Sequence, residues 1–134
     1  MRKSLFIFGL VVTSVQAQDY KTAAGGAPPA ALSDSVKGLV EKQGLKLVKD
    51  GKPLSEIWFR TEVPSAAKPT AENNLTMPNV PHGTLLGVIQ VDQTYADRRG
   101  QTIKAGLYTM RYSYFPENGD HQGAAPQRDF LVLT

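Results

Sequence analysis

Apolar side chains recur with two different periods along this chain, and the change falls at Leu45. Between Ser33 and Gln43, Val36, Leu39 and Val40 keep the i, i+3, i+4 spacing of one helical face. Ser33 or Asp34 can cap the start and Gly44 can close the end, so the pattern predicts a short helix, weakened by Gly38. From Leu45 onward the period is two. Leu45-Lys46-Leu47-Val48-Lys49 and Ser55-Glu56-Ile57-Trp58-Phe59-Arg60 flank Asp50-Gly51, a pair that tolerates the positive φ angles of a tight turn, and together they predict a β-hairpin. Pro53 has no N–H to donate, which predicts that the turn-proximal end of the second strand is unpaired or at an edge.

The stretch 84–91 is almost wholly apolar, as expected of a central strand covered on both faces. Arg98-Arg99-Gly100-Gln101 reads as a polar turn. Residues 107–115 then alternate, with Tyr108, Met110, Tyr112 and Tyr114 on the face predicted to enter the core and Thr109, Arg111 and Ser113 on the other. After a loop over 116–128, Phe130-Leu131-Val132-Leu133 reads as a buried strand without a polar tail, and this abrupt end makes the chain look like the front part of something longer. Two stretches lack periodicity. Residues 18–32 contain Ala23-Ala24-Gly25-Gly26-Ala27-Pro28-Pro29-Ala30-Ala31, too poor in large side chains for a core, and read as a flexible spacer. Residues 62–83 hold Pro64, Pro69, Pro78 and Pro81, which forbid a long regular element. A loop above roughly 15 residues is either a functional lid or poorly ordered.

Five or six strands, one short N-terminal helix and one core predict a mainly β fold, an antiparallel β-sandwich of immunoglobulin-like or transthyretin-like type. A parallel sheet would need crossover helices that the pattern does not supply. The phrase Ile103-Lys104-Ala105-Gly106-Leu107-Tyr108-Thr109-Met110 is similar to the strand opening common in such sandwiches, where glycine admits the bend and tyrosine lies across the core.

The first residues change the picture of where the domain works. Arg2 and Lys3, an apolar run from Leu5 to Val12 and Val15-Gln16-Ala17 have the layout of a secretion signal over 1–17, cleaved before Gln18. The run is shorter than the roughly 20 residues that cross a bilayer, so no integral membrane segment is expected after cleavage. The destination is the bacterial periplasm or the exterior. With the leader removed, residues 18–32 are the spacer and 33–134 a single domain. The chain has fifteen basic and twelve acidic residues, and two of the basic ones leave with the leader, so the mature domain is nearly neutral without a basic cluster. That argues against a nucleic-acid partner. Zero cysteines exclude thiol catalysis, thiolate metal sites, disulfides and a lipid-anchored amino terminus.

Candidate chemistry is sparse. Glu117-Asn118-Gly119-Asp120-His121-Gln122-Gly123 gathers an acid and an imidazole in one loop, so Asp120 and His121 are candidates for ligand binding or an acid/base pair, although Asn-Gly is also a plain turn signal. A metal site would need His82 and His121 completed by carboxylates such as Asp92, Asp97, Glu117, Asp120 or Asp129; no metal or other cofactor is expected. No Gly-x-Ser-x-Gly, facing carboxylate pair or phosphate loop is present, and each serine is explained by a cap, turn or strand, so no catalytic residue is assigned. Trp58 is a candidate binding residue: if Ile57 and Phe59 face inward, period two turns it outward with Glu56 and Arg60 as a stacking platform, while a two-layered fold would bury it. Tyr95 and any tyrosine of 107–115 left outside the core are further stacking candidates. Arg111 could pair with Asp129 or Asp92 on a neighbouring strand. Asn74-Leu75-Thr76 matches an N-glycosylation acceptor, read here as coincidence in a chain of bacterial type.

Arg99-Gly100-Gln101, Ala105-Gly106-Leu107-Tyr108-Thr109-Met110-Arg111-Tyr112, Gly119-Asp120-His121-Gln122-Gly123 and Arg128-Asp129-Phe130-Leu131-Val132-Leu133 together resemble an uncharacterised family of exported bacterial proteins with no known activity. The resemblance covers residues 84–134 and weakly the hairpin at 45–61. It implies export and a chain that continues past the last strand, and no reaction. The expectation is therefore a non-catalytic exported module that binds a protein, peptide or carbohydrate through the 116–128 end. The rivals are a metal-binding protein or hydrolase at Asp120 and His121, and a structural domain of a larger envelope protein.

Overall fold

The computed structural model describes residues 19–70, 74–115 and 128–134. In chain order the elements are β1 (Tyr20–Ala24), α1 (Asp34–Lys37), β2 (Leu45–Lys49), β3 (Lys52–Phe59), β4 (Leu85–Val91), β5 (Tyr95–Ala96), β6 (Thr102–Ile103), β7 (Gly106–Tyr114) and β8 (Asp129–Leu133). The fold is mainly β and antiparallel, as the alternation predicts. A six-stranded sheet runs β1-β2-β3-β4-β7-β8, and β5 and β6 form a small second sheet, giving a β-sandwich-like arrangement with one short helix.

The hairpin forms where the sequence places it. Asp50 and Gly51 have φ of 50° and 76°, the two positive values that a two-residue turn between twisted strands requires. Pro53 lies opposite Val48, and β3 meets β4 only from Ser55, so the proline's missing N–H falls where β3 has a partner on one side alone. Strand β4 is central, paired with β3 and β7, and its Val88 and Val91 are fully buried. Gly87 is the small residue at its middle. A Cβ there would lie 2.6 Å from the Trp58 carbonyl oxygen and 2.8 Å from Met110 Cε, so its absence lets the Met110 side chain cross the strand.

Each face of the large sheet carries its own apolar cluster. Trp58 and Val88 meet Val40, with Leu32, Val36 and Leu107 packed around them. On the opposite face Ile89, Val91 and Met110 pack with Ile57, Tyr108 and Leu133, under Tyr95 and Ile103 of the small sheet. Full burial of one such side chain contributes about 1.5–3 kcal/mol, so these two clusters supply the stabilisation that no disulfide can. The Tyr/Met alternation of β7 does enter the core: Tyr112 is 1% and Met110 5% exposed.

Three expectations are corrected. The spacer is structured: Tyr20–Ala24 pairs with β2 from Tyr20↔Lys49 to Ala24↔Leu45. A strand held by its backbone needs no large side chains of its own, and the small residues that follow allow close approach. Gly25 donates its N–H to the Gly44 carbonyl at 2.8 Å, Gly26 donates to Glu56 Oε1 at 2.6 Å, and the Trp58 indole donates to the Gly26 carbonyl at 2.9 Å.

The predicted helix is only one turn long. Ser33 Oγ accepts from the Val36 N–H at 3.4 Å, and the helix stops at Gly38. A single turn does not recover its nucleation cost. The chain instead runs alongside the end of β3, with Glu41 N–H on the Phe59 carbonyl and Thr61 N–H on the Leu39 carbonyl, which buries Val40 and leaves Leu39 exposed. Finally, β8 is not a buried strand. It borders the sheet beside β7, and Leu131 is 51% exposed.

Candidate functional site

Trp58 is 3% exposed and spends its N–H on Gly26, so it offers no ring face to a ligand; the two-layer geometry wins over the binding-platform reading. Asp120, His121 and Glu117 lie outside the described residues. Tyr95 and Tyr108 pack into the cluster beneath the small sheet, and the Tyr108 hydroxyl donates to the Lys104 carbonyl at 2.8 Å. Arg111 meets neither aspartate: its Nη1 donates to the Gly83 carbonyl at 3.0 Å.

His82 sits just before β4, its Nε2 2.9 Å from Ser113 Oγ and its ring edge-on to Tyr114 with centroids 5.1 Å apart. Ser113 is buried within a strand, and no acid orients the imidazole among the described contacts. The pair fastens the proline-rich stretch to β7. Among the described residues no three His, Asp or Glu side chains gather as metal ligands.

The proline-rich stretch folds back on itself where it is described. Ala66 N–H donates to the Asn79 carbonyl at 2.8 Å and Thr70 N–H to the Pro78 carbonyl at 2.9 Å. Its return limb then reaches β8. The Thr76 N–H donates to Asp129 Oδ2 at 2.8 Å and the Thr76 hydroxyl to Asp129 Oδ1 at 3.0 Å. The Tyr112 hydroxyl, from the neighbouring strand, donates to Asp129 Oδ2 at 3.4 Å.

Between this limb and the sheet lies an open cleft of about 340 Å³. Met77 and Thr76 form one wall, Leu86 and Tyr112 the floor, and Phe130 and Leu131 the other wall, with Asp129 among them. Leu86 reaches the cleft because the register between β4 and β7 slips between Leu85 and Gly87, which lets one residue of β4 bulge out of the alternation.

Two of the cleft's groups have displaced acidities. Burial pushes the Asp129 carboxyl up, but the hydroxyl and N–H of Thr76, its own backbone N–H and the Tyr112 hydroxyl outweigh it and hold the group below the usual carboxylate range. Burial raises the Tyr112 phenol, and the adjoining Asp129 charge raises it further. An apolar concavity with convergent polar groups and shifted acidities is the arrangement that binding sites share. Asp129 is ionised and engaged as an acceptor, so it has no proton to give near neutral pH.

Sequence reading reached this site only in part. In the sequence Asp129 is one of several carboxylates that could complete a metal site or pair with Arg111, and its partner Thr76 is 53 positions away. Nothing local announces Met77 or the bulge at Leu86. No family model matches the chain, and neither a curated protein nor a solved structure matches it.

Proposed function

We propose that this chain is an exported, non-catalytic binding module of β-sandwich type whose ligand sits in the cleft between Met77 and Leu131. The cleft carries the reading. Its volume of about 340 Å³ lies at the lower end of the range of about 300–1,000 Å³ of small-molecule sites, and its walls are apolar side chains around one oriented carboxylate. The leader-like start of the sequence supports the export half, as does the resemblance to exported bacterial proteins. Use of the cleft moves the contact surface from the 116–128 loop, where the sequence alone directs attention, to the adjoining limb and β8.

Chemical-shift mapping with a library of small fragments tests the proposal. Saturable shifts are expected at Met77, Leu86 and Leu131, and Leu131→Ser is expected to weaken them several-fold while leaving the melting temperature within a few degrees, because Leu131 is half exposed. Fragments that gather elsewhere, or none that bind, would remove the cleft from consideration.

A further inference from the structure

We infer that the cleft selects a small primary ammonium compound with an apolar tail, the charged head seated against Asp129. This rests on the reading of the cleft as a binding site and adds the chemistry of its ligand. The donors to Asp129, the Thr76 N–H and hydroxyl, the Tyr112 hydroxyl and its own backbone N–H, are all neutral. No cation pairs with Asp129 among the described residues: the ion pairs found are Lys21 with Asp19 and Lys37 with Asp34. Arg128, its neighbour in sequence, donates Nη2 to the Phe115 carbonyl at 2.5 Å. The cleft thus holds a full negative charge that the protein orients without neutralising.

Hydrogen bonds from neutral groups orient the Asp129 carboxylate without cancelling its charge, so an ammonium head group that enters the cleft is drawn to it. The surroundings set the character of the body behind that head group. Met77, Leu86 and Leu131 favour an aliphatic chain. An anionic ligand would meet like charge in a partly desolvated place, where Coulomb interactions are stronger than in bulk water. At roughly 30 Å³ per water, the volume is that of about eleven waters, enough for an ammonium on a chain of about eight carbons.

Three matched probes separate this inference from the reading beneath it. Octylammonium, 1-octanol and octanoate, titrated into the purified chain and followed by chemical shift at Met77 and Leu131, are expected to bind in that order. Octylammonium should exceed octanol by about fivefold, the factor of a partly exposed ion pair. Asp129→Asn is expected to bring octylammonium down to the level of octanol and to leave octanol unchanged, which also reports that the cleft survives the substitution. Equal binding of alcohol and ammonium, or tighter binding of octanoate, overturns the charge selectivity while the cleft stands. No saturable binding of any probe overturns both, and the comparison in the unmodified chain decides the matter even if the variant unfolds.

Discussion

A carboxylate whose hydrogen bonds come from a threonine and a tyrosine titrates as part of the fold. Asp129 is held below its ordinary range, so it stabilises the native state above the unfolded value near ~3.9, and that contribution is lost as pH falls through its lower folded value. Tyr112 is raised, so its contribution is present below the unfolded value near ~10 and is lost as pH rises through the folded one. Chemical denaturation across pH is expected to show stability falling at both ends. Asp129→Asn should flatten the acid limb below about pH 4, and Tyr112→Phe the alkaline limb above about pH 10. An acid limb unchanged in Asp129→Asn would mean that Thr76 does not bond the carboxylate in solution. At this scale the sequence was readable only where a partner was near. Asp50-Gly51 states its own turn, whereas Trp58 and Asp129 take their meaning from Gly26 and Thr76, residues far off in the chain with no pattern to connect them.

Strand β1 shows what an element can be without a hydrophobic signature. All five of its residues are exposed, and its attachment to the sheet is a ladder of backbone bonds continued by Gly25, Gly26 and Gly44. A Cβ on Gly25 would collide with Glu56 Oε1 and lie 2.8 Å from the Gly44 carbonyl carbon. The carboxylate could swing aside, but only by leaving the Gly26 N–H, and the backbone of Gly44 cannot. Gly25→Ala is therefore expected to cost about 1–3 kcal/mol and to raise amide exchange along β1, with β4 and β7 unaffected. Wild-type exchange in the variant would show that the glycines are not what holds the strand. Elements whose side chains fill the core, β3, β4 and β7, were legible because burial dictates alternation. β1 escaped because its bonds are made by backbone, which composition does not report, and the helix was overestimated because the pairing of Val40 with Arg60 competes for the same residues.

For the whole molecule, the fold class followed from the change of period at Leu45, since no set of helices could cover strands so closely spaced in sequence. The order of strands and the identity of the segments that cap each face did not, because both depend on where loops of twenty or so residues return. The proposed export makes a prediction on this scale. Expressed with its full leader in a bacterium, the protein is expected in the periplasm or medium with Gln18 as its first residue, checked by intact mass and amino-terminal sequencing. A cytoplasmic product that retains Met1 would refute it.

The order of the large sheet has a kinetic meaning. Each strand pairs with the one before it along the chain, except that the small hairpin of β5 and β6 intervenes between β4 and β7. The sheet can therefore be assembled from the Asp50-Gly51 turn outward, one strand at a time, without threading. Closure entropy grows only slowly with loop length, so the stretch 60–84 is the costliest single join by a small margin. Its return limb is secured by the two bonds from Thr76 to Asp129, so the cleft between Met77 and Leu131 needs both this join and β8 in place.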